Sequence, residues 1–260
     1  MKIAVCIKRV PDTESRFAIA ADQKSIATSG LKFDISDFDG YAIEVALRLN
    51  EQQGPGEVVA VSLGPEGTQE TLRKALSMGV DRGVHLQAET IPFDGLAIAY
   101  ALAQELRDAG YDLVLFGRNA TDSGNACVGP MTAELLGLPC VSAVSYLEIK
   151  EGKGTAHREL EGMTETVAFA LPAVLSIDEG IARPRLPSLK GIMAAKKKPV
   201  ETWSLSDLGV EAEKVGLSAA WSTVENTEPR PPRSAGEIVT DEDGSGAKAL
   251  ADFLASKKFI

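Results

Sequence analysis

An α/β fold with a doubly wound parallel sheet is what this sequence predicts, on three observations. Short Val- and Leu-rich runs alternate with amphipathic helical stretches through the first 144 residues, the pattern of βαβ units. The runs are apolar throughout, as strands covered on both faces must be. One of them, residues 113–116, ends in a polar loop of small residues that leads into a further helix. Strand, small-residue loop and helix together are how α/β proteins hold a phosphate-bearing ligand, because loop amides and the helix N-terminus point at the anion.

Residues 2–7 form the first strand. Ala42, Val45, Ala46 and Leu49 recur at helical spacing in residues 38–50. Residues 57–63 are a second strand, stopped by Gly64-Pro65. Thr68 caps the next helix, residues 69–79, which Gly79 closes. A third strand covers 82–86, and residues 92–109 form a long amphipathic helix ending at Gly110. After the fourth strand at 113–116, a helix spans 131–136 and a fifth strand 140–144. The connections between parallel strands are right-handed, so helices cover both faces.

Beyond Ser145 the pattern becomes a small antiparallel extension. Residues 146–150, 154–161 and 164–171 read as strands, with turns at Gly152 and Gly154 and at Gly162-Met163. Residues 173–177 add one more apolar strand. Residues 183–199 carry three prolines and a basic run, with a brief helix at 191–195. Past Glu201 no sustained helix is expected until the amphipathic stretch within 244–260, and the three prolines of 226–233 exclude a packed helix there. The expected organisation is an α/β nucleotide-binding domain over 1–200, with a docking loop at 183–198. Residues 201–260 form an extended C-terminal arm. So long an arm with little core of its own suits packing on a partner subunit.

Apolar content of 44% and charged content of 25% are ordinary for a soluble globular protein. A net charge of −10 argues against nucleic-acid binding. No apolar run approaches the roughly 18 residues a membrane span needs, so no membrane insertion is expected. The N-terminus reads as a strand rather than a leader, which places the chain in a bacterial cytoplasm ahead of a mitochondrial matrix. Cys6, Cys127 and Cys140 are an odd, widely spaced set, giving neither a disulfide framework nor a zinc spacing. With only His85 and His157 besides, no metal site is expected.

Three stretches are candidates for binding. In the loop 117–128, Asp122, Ser123 and Asn125 can cap a helix or bond a ribose, while Gly124 and Gly129 permit positive φ. An ordinary strand-to-helix turn favours the same residues. Neither a Walker loop nor GxGxxG is present. Ser36, Asp37, Phe38 and Asp39 precede a helix; Asp or Ser there is first an N-cap, but a helix after strand one also starts at the carboxyl edge where ligands sit. Leu63-Gly64 lines the same crevice. The third stretch is 183–198, where Leu186, Leu189, Ile192 and Met193 interleave with Arg183, Arg185 and lysines. Apolar residues rimmed by charge mark a docking surface, whereas the run of lysines at 196–198 alone reads as a solvated face. No GxSxG elbow and no acid–base set emerges, so no catalytic residue is assigned.

Several segments together resemble the electron transfer flavoprotein beta subunit family. They are KRVPDTE at 8–14, FDxxAIExALRL at 38–49, QETLRKALSMGVDRGVHL at 69–86, VLFGRNATDSGNACVGPMTAELLGLP at 114–139, LPAVLSIDEGIARPRLPSLKGIMAAKKKP at 171–199 and PPRSAG at 231–236. The resemblance implies an adenine nucleotide alpha hydrolase-like sheet in an electron carrier rather than an enzyme. It implies a heterodimer whose alpha subunit holds FAD, fed by acyl-CoA-type and other flavin dehydrogenases and emptied by a quinone reductase or another acceptor. It implies AMP as a structural ligand. The implied nucleotide contacts are Cys6, Ser36, Asp37, Phe38, Asp39, Leu63, Gly117, Arg118, Asn119, Ala120, Thr121, Asp122, Ser123, Gly124, Asn125, Ala126, Cys127 and Val128. The implied dehydrogenase-recognition loop is 183–198, anchored by Leu189.

The chain departs from the family pattern in two places. Ser36-Asp37-Phe38 stands where Asn-Pro-Phe is common. Val128-Gly129-Pro130 resembles members that bind a second FAD in the beta subunit and oxidise NADH by bifurcation, so a second FAD is the alternative to AMP. A stand-alone adenine-nucleotide module is a further alternative, but it leaves the arm and the basic Pro-Leu loop without a role.

Overall fold

The computed structural model describes residues 1–91, 94–215, 220–232, 236, 238–241 and 244–260. The chain divides into two compact units, Met1–Asn226 and Thr227–Ile260. In the first, the elements are β1 (Lys2–Cys6), β2 (Arg9–Pro11), β3 (Phe33–Ile35), α1 (Asp37–Gln53), β4 (Glu57–Gly64), α2 (Thr68–Met78), β5 (Arg82–Gln87), α3 (Gly95–Arg107), β6 (Leu113–Gly117), α4 (Val128–Leu136), β7 (Cys140–Lys150), β8 (Lys153–Leu160), β9 (Met163–Ala170), β10 (Ala173–Ile177), α5 (Leu189–Ala195), β11 (Val200–Ser204) and α6 (Ala212–Val215). The second unit holds α7 (Ser245–Ser256). No helix among the described residues is long and apolar enough to cross a membrane.

A nine-stranded sheet in the order β11-β5-β4-β1-β6-β10-β7-β8-β9 forms the framework. Every pairing from β11 to β7 is parallel, and β7–β8 and β8–β9 are antiparallel. This is the doubly wound α/β sheet with its antiparallel extension. Side chains of a strand alternate between faces, and β1 shows it: Ile3 and Val5 join the core under α1 and α2, while Ala4 and Cys6 join the core under α3 and α4. Both faces of the central strands are thus sealed by helices. After β1 the chain winds outward through β4 and β5, then returns to place β6 on the other side of β1. The reversal puts a switch point between the carboxyl ends of β1 and β6, where such sheets leave a crevice.

Some elements differ from the sequence reading. The expected strands at 140–144 and 146–150 are one continuous β7, which pairs with β10 through its first half and β8 through its second. Ala143, at φ 56°, lies where the register with β10 shifts, so the strand bends without ending. The β7–β8 turn uses Glu151 and Gly152 at φ 50° and 75°, two positive values that match a tight hairpin to the twist of its strands. Thr68 is not a cap: it opens α2, Gly67 is the N-cap, and the buried Thr68 hydroxyl has no partner. Helix α3 starts at Gly95 with Asp94 as its cap; Pro92 and Phe93 lie outside the described residues. Helix α4 begins at Val128, three residues before the expected Met131. The small β2–β3 ladder was not expected. The expected arm boundary at 201 falls inside β11, which pairs in parallel with β5, and the first unit continues to Asn226.

Candidate functional site

A cavity of about 290 Å³ opens at the switch point. Its base is apolar: Cys6 and Ile7 at the end of β1, Leu63 on β4, Phe116 on β6, and Ile98 and Leu102 on α3. Its walls are the loop after β6 and the starts of α3 and α4. Two helix N-termini therefore converge on one space, but they are not equivalent. The Asp94 carboxylate occupies the amides of α3, accepting from Leu96 at 2.9 Å and Ala97 at 3.3 Å. No side chain caps α4, whose first residues Cys127, Val128, Gly129 and Pro130 line the cavity. The uncovered positive end of α4 is where an anion gains most.

The loop is held by short-range chemistry. Gly117 ends β6 against the start of α1: a Cβ there would lie 2.6 Å from the Phe38 carbonyl carbon and 2.7 Å from the Asp39 nitrogen. Only glycine permits that approach. Asp39 accepts from the Lys8 amide at 2.7 Å and the Gly117 amide at 3.1 Å, tying β1 to β6. Burial pushes the Asp39 carboxyl up to about 7, although both amides and the Lys8 charge favour its ionised form. Lys8 Nζ meets Asp122 at 2.7 Å, and the Thr121 amide donates to Ser36 Oγ at 3.2 Å. Arg118 pairs with Asp178 at 3.0 Å and lies over the Phe38 ring. Gly124 has φ 66°, and Ala126 takes φ 53°; Gly129, which could also have taken a positive φ, is helical. The amide oxygen of Asn119 is buried with no partner, on a residue that lines the cavity.

Of the residues named as nucleotide contacts, Cys6, Asp39, Leu63, Gly117, Arg118, Asn119, Ala120, Ser123, Asn125, Ala126, Cys127 and Val128 line the cavity. Ser36, Asp37, Phe38, Thr121, Asp122 and Gly124 do not. Ser36 and Asp122 instead brace the loop, and Asp37 and Phe38 form the first turn of α1. Lining residues that the sequence reading did not name as contacts include Lys8, Ile91, Asp94, Gly95, Ile98 and Ser176. Asp94 before Gly95 carries an N-cap signal; the others are brought in by strand order and helix packing. Asp94 also accepts from the amides of Trp221 at 2.8 Å and Ser222 at 3.3 Å. Burial raises its pKa, but these amides outweigh that and hold it below its usual value.

The second candidate surface is the segment through α5. Leu186 is 89% and Leu189 78% exposed, with Ile192 and Met193 also exposed. Arg185 is fixed: its side chain reaches Glu44 at 2.7 Å and Glu51 at 2.6 Å, and its pKa rises through those bonds. Burial favours neutral Glu44, yet Arg185 and Arg48 hold its pKa below the usual range. Arg183 is exposed. Lys198 departs from the expected solvated face. Its Nζ donates to the carbonyls of Leu76 and Gly79 at 3.2 Å and of Val80 at 2.5 Å, at the end of α2.

Fold and crevice define a doubly wound α/β protein with a ligand-sized site at its switch point. The family model for the electron transfer flavoprotein domain matches residues 23–208. The chain is 39% identical over 264 residues to the electron transfer flavoprotein subunit beta of Mycobacterium tuberculosis, covering 99% of each chain. It is 36% identical over 259 residues to that of Bacillus subtilis, covering 99% of this chain and 98% of the relative. The Homo sapiens protein of that name matches at 36% over 247 residues, 94% of each. The chain belongs to the electron transfer flavoprotein family, on the beta-subunit branch, and its work is electron transport.

Proposed function

We propose that this chain pairs with an electron transfer flavoprotein alpha subunit carrying FAD, and that the crevice between β1 and β6 holds AMP. The observation that carries the nucleotide reading is the uncapped N-terminus of α4, which opens onto the cavity. The unpartnered Asn119 oxygen supplies an acceptor for a base or ribose proton. The apolar floor suits an adenine ring. A volume of about 290 Å³ lies at the small end of ligand sites, roughly 300–1,000 Å³, which favours a mononucleotide. FAD in the partner supplies the electron chemistry. This chain's residues shape the interface and dock the donor.

The exposed Leu189 face is the surface that meets acyl-CoA-type and other flavin dehydrogenases, with electrons leaving to a quinone reductase or another acceptor. Residues 227–260 are the arm that packs on the alpha subunit. Leu250, Phe253, Phe259 and Ile260 are all more than half exposed, and α7 buries none of its residues. Val128-Gly129-Pro130 favours a second reading, in which a second FAD occupies the crevice and NADH is oxidised. Acid extraction of the purified heterodimer tests both. One FAD and one AMP per heterodimer is the expected result. Two FAD and no AMP replace the first reading with the second, and one FAD with no AMP overturns both.

A further inference from the structure

Helix α5 has seven residues, too short to hold its shape alone. Apolar burial does not hold it either. Ala195 is its only buried residue, while Leu189, Ile192 and Met193 face outward. Its position is set by polar contacts with α2. From α2, one nitrogen of Arg73, Nη1, donates to the carbonyl of Ala195, an orphan acceptor at the end of α5, at 2.7 Å, and to that of Lys198, just beyond the helix, at 2.6 Å. In return, Lys198 Nζ donates to the Leu76, Gly79 and Val80 carbonyls at the end of α2. Each helix thus has its negative end covered by a cation from the other's segment. Between the two clamps the backbones touch: a Cβ on Gly191 would run into the Ser77 carbonyl oxygen. At the start of α5, the Ser188 hydroxyl accepts from the Gly191 amide at 3.0 Å.

We propose that Arg73 and Lys198 are positioning residues for donor docking, a reciprocal clasp that fixes the aim of the Leu189–Met193 face before any partner arrives. The inference rests on the reading of Leu189 as the docking anchor. A preset anchor binds without the cost of ordering the segment on contact. Loss of the clasp therefore weakens docking and leaves the electron-transfer step of the docked complex alone.

The test uses the full heterodimer with bound FAD as the electron acceptor of an acyl-CoA dehydrogenase. Arg73→Met removes two hydrogen bonds and raises the apparent KM for the heterodimer about tenfold, with kcat, FAD content and the rate of reduction by dithionite unchanged. Arg73→Lys stays close to the parent KM, because a single nitrogen makes both bonds. Lys198→Met repeats the KM effect from the other side and decides the matter if the Arg73 variant fails to assemble. Leu189→Ala raises KM on the docking reading alone. If Leu189→Ala raises KM while both clasp variants keep the parent value, the clasp is overturned and the docking surface stands. If Leu189→Ala leaves KM unchanged, the docking reading itself falls. Equal loss in Arg73→Lys and Arg73→Met overturns the clasp, since the shared nitrogen is then not what matters.

Discussion

The Asp39 carboxylate accepts the Gly117 amide at 3.1 Å, so the start of α1 holds the end of β6 across the mouth of the crevice. The same carboxylate takes the Lys8 amide at the end of β1. One buried acid thus sets the spacing of the two strands between which the site opens.

Asp39 keeps its proton in the folded protein up to about 7 because it is buried, whereas in the unfolded chain it ionises near 3.8. Its folded pKa is raised, so its contribution is fully present below the unfolded value and is lost as pH rises through the folded one. Stability is expected to fall across pH 4–7 from this group. Asp39→Asn flattens that part of the curve, measured by denaturant unfolding of the heterodimer at successive pH values. An identical slope in the variant refutes the assignment.

Gly117→Ala drives a methyl into the Phe38 and Asp39 backbone. Forced repacking of this kind costs about 1–3 kcal/mol. A lowered unfolding midpoint with reduced nucleotide content is expected; an unchanged midpoint means the approach is looser than described.

Arg185→Met strips Glu44 of its larger cation and leaves Arg48, at 2.8 Å, as the remaining partner. The expected loss is about 1.5–3 kcal/mol, typical of hydrogen bonds to charged groups. Because Glu44's folded pKa is depressed, its stabilisation is present at neutral pH and lost as pH falls through that value. The variant is therefore less acid-sensitive than the parent. Urea unfolding at pH 7 and pH 4 reads both effects.

Ser123→Phe and Asn125→Phe place rings in the cavity, whereas Asp122→Phe only breaks the contact with Lys8. The first two are expected to abolish most nucleotide retention and the third to reduce it modestly. Extraction of the purified variants ranks them, and equal retention in all three removes the loop from the site.

The parallel core was legible because short apolar runs alternate with stretches of helical periodicity, a local signal. The crevice loop, residues 117–128, was legible for the same reason: a stretch rich in small and polar residues follows β6. What was not legible was set by distance in sequence. Ser176 reaches the cavity only because β10 inserts beside β6, and Lys8 only because β1 is central. Residues from 201 on read as an arm because no sustained helix follows Glu201; the strand character of Val200–Ser204 comes from the open edge of β5. Lys198 read as solvated because the carbonyls it caps lie more than a hundred residues earlier.

Cys6 forms part of the crevice floor, buried at the end of the central strand. Burial pushes its thiol well up, and the Asp39 and Glu105 charges push it further. A thiol kept protonated is a poor nucleophile and a poor target for peroxide. The sulfur in the crevice floor is therefore chemically quiet, and the innermost cysteine of the sheet is kept from oxidation by its position rather than by a partner.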